Sequence, residues 1–235
     1  MKQSEYEDTP YKHYWGKLNS HLAASGIQAA RLNAIELVDT SALLFSSKKF
    51  AISHALSVIS IEESAKALII NAIYLELDEP RNLWKGFRDH KAKSNFLNPS
   101  IIWMARAQFP DLDDESLKKV AKGPSPDFLE RMKHLGLYID CIQTDKEVVW
   151  HKPQNTEDWE RVAEERLYEA MSMAYKLRDY SPEELEIWYK HLRKYDKKSI
   201  KELKESYKAL ERELIEKKFI KKGWWVPILE YIDNL

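Results

Sequence analysis

The apolar positions of this chain recur at helical spacing over long stretches. Between Asn19 and Phe45, Leu22, Ala29, Leu32, Leu37 and Leu44 form a stripe close to the 3.6-residue period, which predicts a first helix. Ser46-Ser47-Lys48-Lys49 interrupts it briefly, and a second helical pattern runs from Phe50 to Leu75. So short a break predicts an antiparallel pair. Asp78-Glu79-Pro80 opens a third helix with Leu83, Phe87 and His90 on one face. Residues 98–126 are punctuated by Pro99, Pro110, Gly123-Pro124 and Pro126, a pattern of short helices. The helix starting near Pro126 carries Phe128, Met132 and Leu135 and gives way around Gly136. The runs LYIDC and EVVWHKP then flank Thr144-Asp145-Lys146, as in a small hairpin. Asn155-Thr156-Glu157 opens a long helix to about Arg178. Ser181-Pro182-Glu183-Glu184 combines a cap, a first-turn proline and an acidic first turn, a strong helix start. Charged helix follows, ending in GWWVPILEYI.

These elements predict an all-α fold: an antiparallel helical bundle with a small β-hairpin insertion and a helical C-terminal extension. The organisation reads as an irregular arm over 1–18, a bundle over 19–180 and a charged extension over 181–235. No internal repeat is visible.

The second helix carries an anomaly. On a helical wheel, Ser53, Ser57, Ser60, Ser64, Ala67 and Asn71 gather on one small-residue side, suited to close approach of another helix or to water. Ile52, Ala55, Leu56, Ile59, Ile69, Ile70 and Ile73 gather opposite, and Glu62, Glu63 and Lys66 fall among them. Glu62 and Lys66 are four apart and are expected to pair, leaving Glu63 without a local partner. Buried charges cost several kcal/mol each unless paired. Two readings follow: a structural salt-bridge cluster tying helices together, or a polar site lined by bundle helices. Two other stretches add polar groups. GFRDHKAK places Arg88 and Lys93 near His90, and RMKHLGLYID places Arg131, Tyr138 and Asp140 around a helix end.

Composition narrows the function. Hydrophobic residues make up 44% and charged residues 32%, enough for a core plus solvated helix faces, and the formal net charge of −1 excludes a globally basic nucleic-acid binder. Any nucleic-acid contact therefore needs a local patch. Residues 188–222 supply one, with 13 lysines and arginines against 6 acidic residues and with Trp188, Tyr189 and Tyr195 interleaved. The bland alternative is a solvated helix with pairs such as Glu213–Lys217. Trp224 and Trp225 are expected to pack the last segment on the bundle or on a partner. A single cysteine, Cys141, excludes a disulfide framework, fits a reducing cytoplasm and is expected to be a buried, inert thiol. The polar N-terminus and the lack of a run of ~18 apolar residues argue for a soluble protein without a membrane partner. No cofactor is expected, since there is no glycine-rich phosphate loop. No metal is expected either: the Glu-x-x-His repeats of bundle di-metal sites are missing, and a lysine stands among the acidic residues.

Taken together, ALSVISIEESAKAL, FRDHKAK and GLYID followed by VVWHKP resemble the HEPN superfamily, specifically the AbiV branch of abortive-infection proteins. The likeness covers roughly residues 25–178. Ser64-Ala65 departs from the bulky residue and glycine expected there. The resemblance implies a HEPN-like bundle of four or five helices, a homodimer, and a phage-defence effector acting through growth or translation arrest. RNA and a phage or host translation-related protein are the implied partners. Many HEPN proteins are metal-independent ribonucleases with an R-x4-H-x-Y signature. Here Arg131 and Tyr138 align with the arginine and tyrosine, but Gly136 holds the histidine position. Lys85-x4-His90 is the nearest imitation. If the site is catalytic, the expectation is His90 as acid/base, Arg131 and Lys66 on phosphate charge, Glu63 orienting His90, and Tyr138 with them. Glu62, Arg88, Lys93 and Asp140 would be binding neighbours. The alternatives are a non-catalytic binding module and a structural dimer with interface salt bridges.

Overall fold

The computed structural model describes residues 12–90, 93, 126–143, 147–153, 155–194 and 199–221. Its elements are α1 (Ser20–Ser46), α2 (Phe50–Tyr74), α3 (Pro80–Arg88), α4 (Pro126–Leu137), β1 (Asp140–Gln143), β2 (Val148–His151), α5 (Glu157–Ala174), α6 (Pro182–Leu192) and α7 (Ile200–Glu216). The fold is a mostly helical bundle carrying one two-stranded antiparallel hairpin. The proline-punctuated stretch 98–125 and the tryptophan pair at 224–225 lie outside the described residues.

Local chemistry sets the helix starts. Asn19, Thr156, Ser181 and Ser199 each cap a helix by accepting a backbone N–H, and Ser199 with Glu202 completes a reciprocal capping box. The α1–α2 turn closes through Lys48, at φ 58°, with the Lys49 N–H donating to the Leu44 carbonyl at 2.8 Å. The long helix α5 stops at Ala174 rather than near Arg178.

Helix α2 is the axis of the bundle, with α1, α3, α4 and α5 packed around it. The serine side of the wheel faces α1, as its small size predicts. Ser41 on α1 donates to the Ser53 carbonyl at 2.7 Å and shares hydrogen bonds with the Ser53 and Ser57 hydroxyls, while Ser60 donates to the Ala34 carbonyl at 2.7 Å. These hydroxyls are buried, so each is satisfied across the contact. Ile61 and Ala65 meet Ala170, Met173 and Ala174 of α5, and Ile69, Ala72 and Ile73 meet Leu83 and Trp84 of α3.

The helices after residue 180 share a core with α1 and α2: Leu185, Trp188, Leu192, Leu210 and Leu214 pack with Ile27, Ile70 and Tyr74. Glu76, at φ 55°, fastens this junction. Its carboxylate pairs with Lys17 at 3.1 Å and Arg193 at 3.0 Å and accepts from the Tyr189 hydroxyl at 2.8 Å. Burial alone would raise its pKa, yet the hydrogen bonds from Tyr189, Arg193 and Lys17 hold it down at about 2. Glu213 bonds with Lys190 and His191 of α6, not with the Lys217 expected from spacing.

The hairpin pairs Cys141 with Trp150 and Ile142 with Val149, and His151 Nε2 bonds to the Leu135 carbonyl at 3.1 Å, tying β2 to α4. Cys141 is exposed, which corrects the expectation of a buried thiol. The apolar run around it faces solvent because the hairpin presents Cys141, Val148 and Trp150 outward.

Candidate functional site

The three charges of α2 divide between two directions. Successive helical residues point about 100° apart, so Glu62 and Glu63 reach different neighbours. Glu62, 1% exposed, faces α4 and the turn after α3. Its Oε2 lies 2.5 Å from His90 Nδ1 and its Oε1 accepts from Lys133 Nζ at 2.9 Å. Glu63 faces α1: it accepts from Asn33 Nδ2 at 2.9 Å and pairs with Lys66 at 2.5 Å. This reverses the pairing expected from spacing. Lys66 serves Glu63, and Glu62, not Glu63, holds His90.

Lys133 is the residue that spacing along α2 could not reveal. Its buried ammonium bonds Glu62, pairs with Glu130 at 2.6 Å and lies 3.4 Å from His90 Nδ1. Glu130 in turn meets His134 Nε2 at 2.9 Å. The chain Glu130–Lys133–Glu62–His90 thus alternates acid and base across three segments of the fold. Burial alone would raise Glu130, but the hydrogen bond and charge of Lys133 bring its pKa below the ordinary value of 4.5. Burial would lower Lys133, but the bonds to Glu130 and Glu62 lift it above 10.5. The ion pair is therefore intact throughout the intervening pH range. A signal for Lys133 did exist in the sequence: Glu130, Lys133 and His134 have i,i+3 and i,i+4 spacing, and Lys133 shares a face with Gly136.

Gly136 explains why the signature histidine is missing at its position. A Cβ there would stand 2.5 Å from the Ala51 carbonyl oxygen and 3.3 Å from the Ala55 Cβ. Helix α4 crosses the α2 backbone at this point, so no side chain fits there.

Lys93 is buried within Coulombic reach of Glu62, Glu63, Lys66 and Lys133. Burial lowers its pKa below 10.5, an effect opposed by Glu62 and reinforced by Lys66. The remaining candidates lie elsewhere. Arg88 donates to the Trp84 and Tyr14 carbonyls at 3.0 and 2.7 Å and stacks on Trp15, 4.3 Å from its ring centre, fastening residues 14–15 to α3. Arg131 is exposed and makes no ion pair among the described residues. Tyr138 is exposed beside His134, ring centres 5.5 Å apart. Asp140 accepts from the Cys141 N–H at 2.8 Å, a local turn bond. The grouping the structure makes is Glu62 with His90, with Lys93 within Coulombic reach, while Glu63 and Lys66 pair on the adjoining face and do not meet His90 as expected. It does not include Arg88, Arg131, Tyr138 or Asp140.

Glu62, His90 and Glu130 also bring ligand-type atoms within 4.8 Å of one another, the spacing of a three-ligand cation site. The Lys133 ammonium bonds both carboxylates of that set, so the positive charge between them is a lysine. Half-exposed His90 and partly exposed Glu130 open the set around buried Glu62 to solvent. Chemically the arrangement is a carboxylate-held imidazole, fit to bind an anion or move a proton at its exposed edge.

The model of the HEPN-type AbiV family matches residues 22–177, spanning α1 to α5 and including every member of the Glu62–His90–Lys133 centre. The chain belongs to this AbiV family. Membership brings with it a role in abortive infection, a form of defence. No curated protein and no solved structure matches the chain. No helix among the described residues is long and apolar enough to cross a membrane.

Proposed function

We propose that the protein is a phage-defence effector that arrests growth or translation by cleaving RNA without a metal, with His90 as the acid–base group. The observation that carries this reading is the 2.5 Å contact between Glu62 Oε2 and His90 Nδ1, backed by Lys133. A buried carboxylate fixes the ring orientation and stabilises imidazolium as it forms, as in other catalytic His–carboxylate pairs. In the proposed reaction His90 removes the proton from an RNA 2′-hydroxyl. The 2′-oxygen bonds the adjacent phosphorus, and the 5′-oxygen leaves with its electron pair and takes a proton from the His90 imidazolium or from water. The products are a 2′,3′-cyclic phosphate and a 5′-hydroxyl. Lys133 and Lys93 offset the charge gathering on the phosphorane.

The test is incubation of total RNA and tRNA with purified protein in EDTA, comparing wild type with His90→Ala, Glu62→Gln, Glu63→Gln and Arg131→Ala, each checked by circular dichroism. Cleavage leaving 5′-hydroxyl ends, lost in His90→Ala and cut at least tenfold in Glu62→Gln, is the expected result. Glu63→Gln and Arg131→Ala are expected to retain most of it. Cleavage that survives His90→Ala would defeat the assignment.

The outward face of the hairpin favours a second reading, a module that binds a phage or host protein. Trp150 is 76% exposed beside exposed Val148, with Ile139 and Tyr138 also exposed at the entry to β1. Under this reading Trp150→Ser abolishes protection of cells against phage while leaving the fold intact, and His90→Ala does not.

A further inference from the structure

The face of α2 that carries Glu63 and Lys66 opens onto a groove of about 360 Å³ between α1, α2 and α3. That volume lies in the range of small-molecule pockets. Gly26, Ala30 and Ile70 line its base, Leu22, Trp84 and Phe87 its apolar walls, and exposed Ala29 its rim. The floor is low because α1 and α2 approach closely: a Cβ on Gly26 would come 3.2 Å from Ile70 Cδ1. Among the described residues its polar lining gathers at one end, where Asn33, Glu63 and Lys66 meet.

The hydrogen-bond arithmetic at that end fixes the sign of a ligand. Glu63 has both carboxylate oxygens engaged, one by Asn33 at 2.9 Å and one by Lys66 at 2.5 Å. Lys66 has three N–H donors, and its partners among the described residues are Glu63 and the face of Phe87, 5.3 Å from the ring centre. The side chain remains 24% exposed, so donors are available to a guest. Buried Lys93 adds a second positive charge within Coulombic reach of both residues. We propose that this groove binds a small amphiphilic anion: an aromatic or branched apolar body lies along Ala29, Ile70, Trp84 and Phe87, and one anionic head bonds Lys66. The site is separate from the Glu62–His90–Lys133 centre, and it stands whether or not that centre cleaves RNA.

The probe is 8-anilinonaphthalene-1-sulfonate, with uncharged N-phenyl-1-naphthylamine as its counterpart, both titrated by fluorescence into the full chain. Cooperative thermal unfolding is checked for every variant. The expected result is one saturable site that prefers the sulfonate by about tenfold, the scale of a charge-assisted hydrogen bond. Lys66→Met removes that preference and leaves the neutral probe bound, Lys66→Arg restores it, and Ala29→Phe, which fills the groove from its exposed rim, abolishes both. The proposal is overturned by any of three results in folded protein: no saturable binding, equal affinity for the two probes, or binding unchanged in Ala29→Phe. RNA cleavage is measured on the same Lys66→Met protein, so a failed groove and a failed nuclease give different patterns.

Discussion

Lys133 Nζ lies 2.9 Å from Glu62 Oε1, and that bond joins α4 to the central helix through two buried side chains. Removing one partner of such a pair strands the other charge away from water. Lys133→Met is expected to cost about 3 kcal/mol in urea unfolding, with Glu62→Gln close behind. Combining Lys133→Met with Glu62→Leu should recover part of the loss, because both charges are then gone. Strictly additive single effects in the double mutant would show that the two side chains do not couple.

The same lysine occupies the middle of a three-ligand set, which leads to a metal prediction. In Lys133→Ala, Glu62, His90 and Glu130 keep their ligand atoms near one another and lose the competing cation. The variant is expected to bind Co²⁺ with visible absorption of a low-symmetry, few-ligand site. Wild type at the same Co²⁺ concentration should give none of it. An identical spectrum from the two proteins would place the metal elsewhere.

Restoring the signature histidine is expected to fail. Gly136→His drives a side chain into the Ala51 carbonyl, and overpacking of this kind costs about 1–3 kcal/mol. The midpoint of thermal unfolding should fall, and RNA cleavage should not rise. A stable, more active Gly136→His protein would mean that α4 can shift off α2.

Acid should act first through His54. This residue is 1% exposed, stacks edge-on against Trp159 with ring centres 5.6 Å apart, and its Nδ1 has no hydrogen-bond partner among the described residues. Burial, and then the charge of Arg166, hold its pKa at about 4 against 6.5 in the unfolded chain. Between those values the unfolded chain takes up a proton that the folded one refuses, so stability falls as pH drops below 6.5 and the loss is complete below 4. The expected total is roughly 3 kcal/mol. His54→Phe should flatten that part of the pH profile, read from urea midpoints at successive pH values. An unchanged slope would assign the acid sensitivity to other groups.

Much of this protein was legible in its sequence. Periodicity located α1, α2 and α5, turn and cap residues located the helix starts and the hairpin, and the serine stripe announced the close approach of α1. All of these are short-range consequences of backbone geometry and side-chain size. The sequence also announced that charges stand in a buried helix and that His90 is near them. It could not say which carboxylate takes the histidine. Glu62 and Glu63 are neighbours in the chain but point about 100° apart, and the choice belongs to whichever helices flank each direction. Nor could it reveal Lys133, whose burial depends on α4 resting against Ala51 at Gly136, more than eighty residues away in the chain. The exposure of Cys141 was likewise a tertiary outcome: its run is apolar, yet the hairpin stands with that face toward water. Local pattern determined the elements and the presence of charge; the packing of distant helices decided which charges meet, because an ion pair is made by atoms within a few ångströms and not by spacing along a chain.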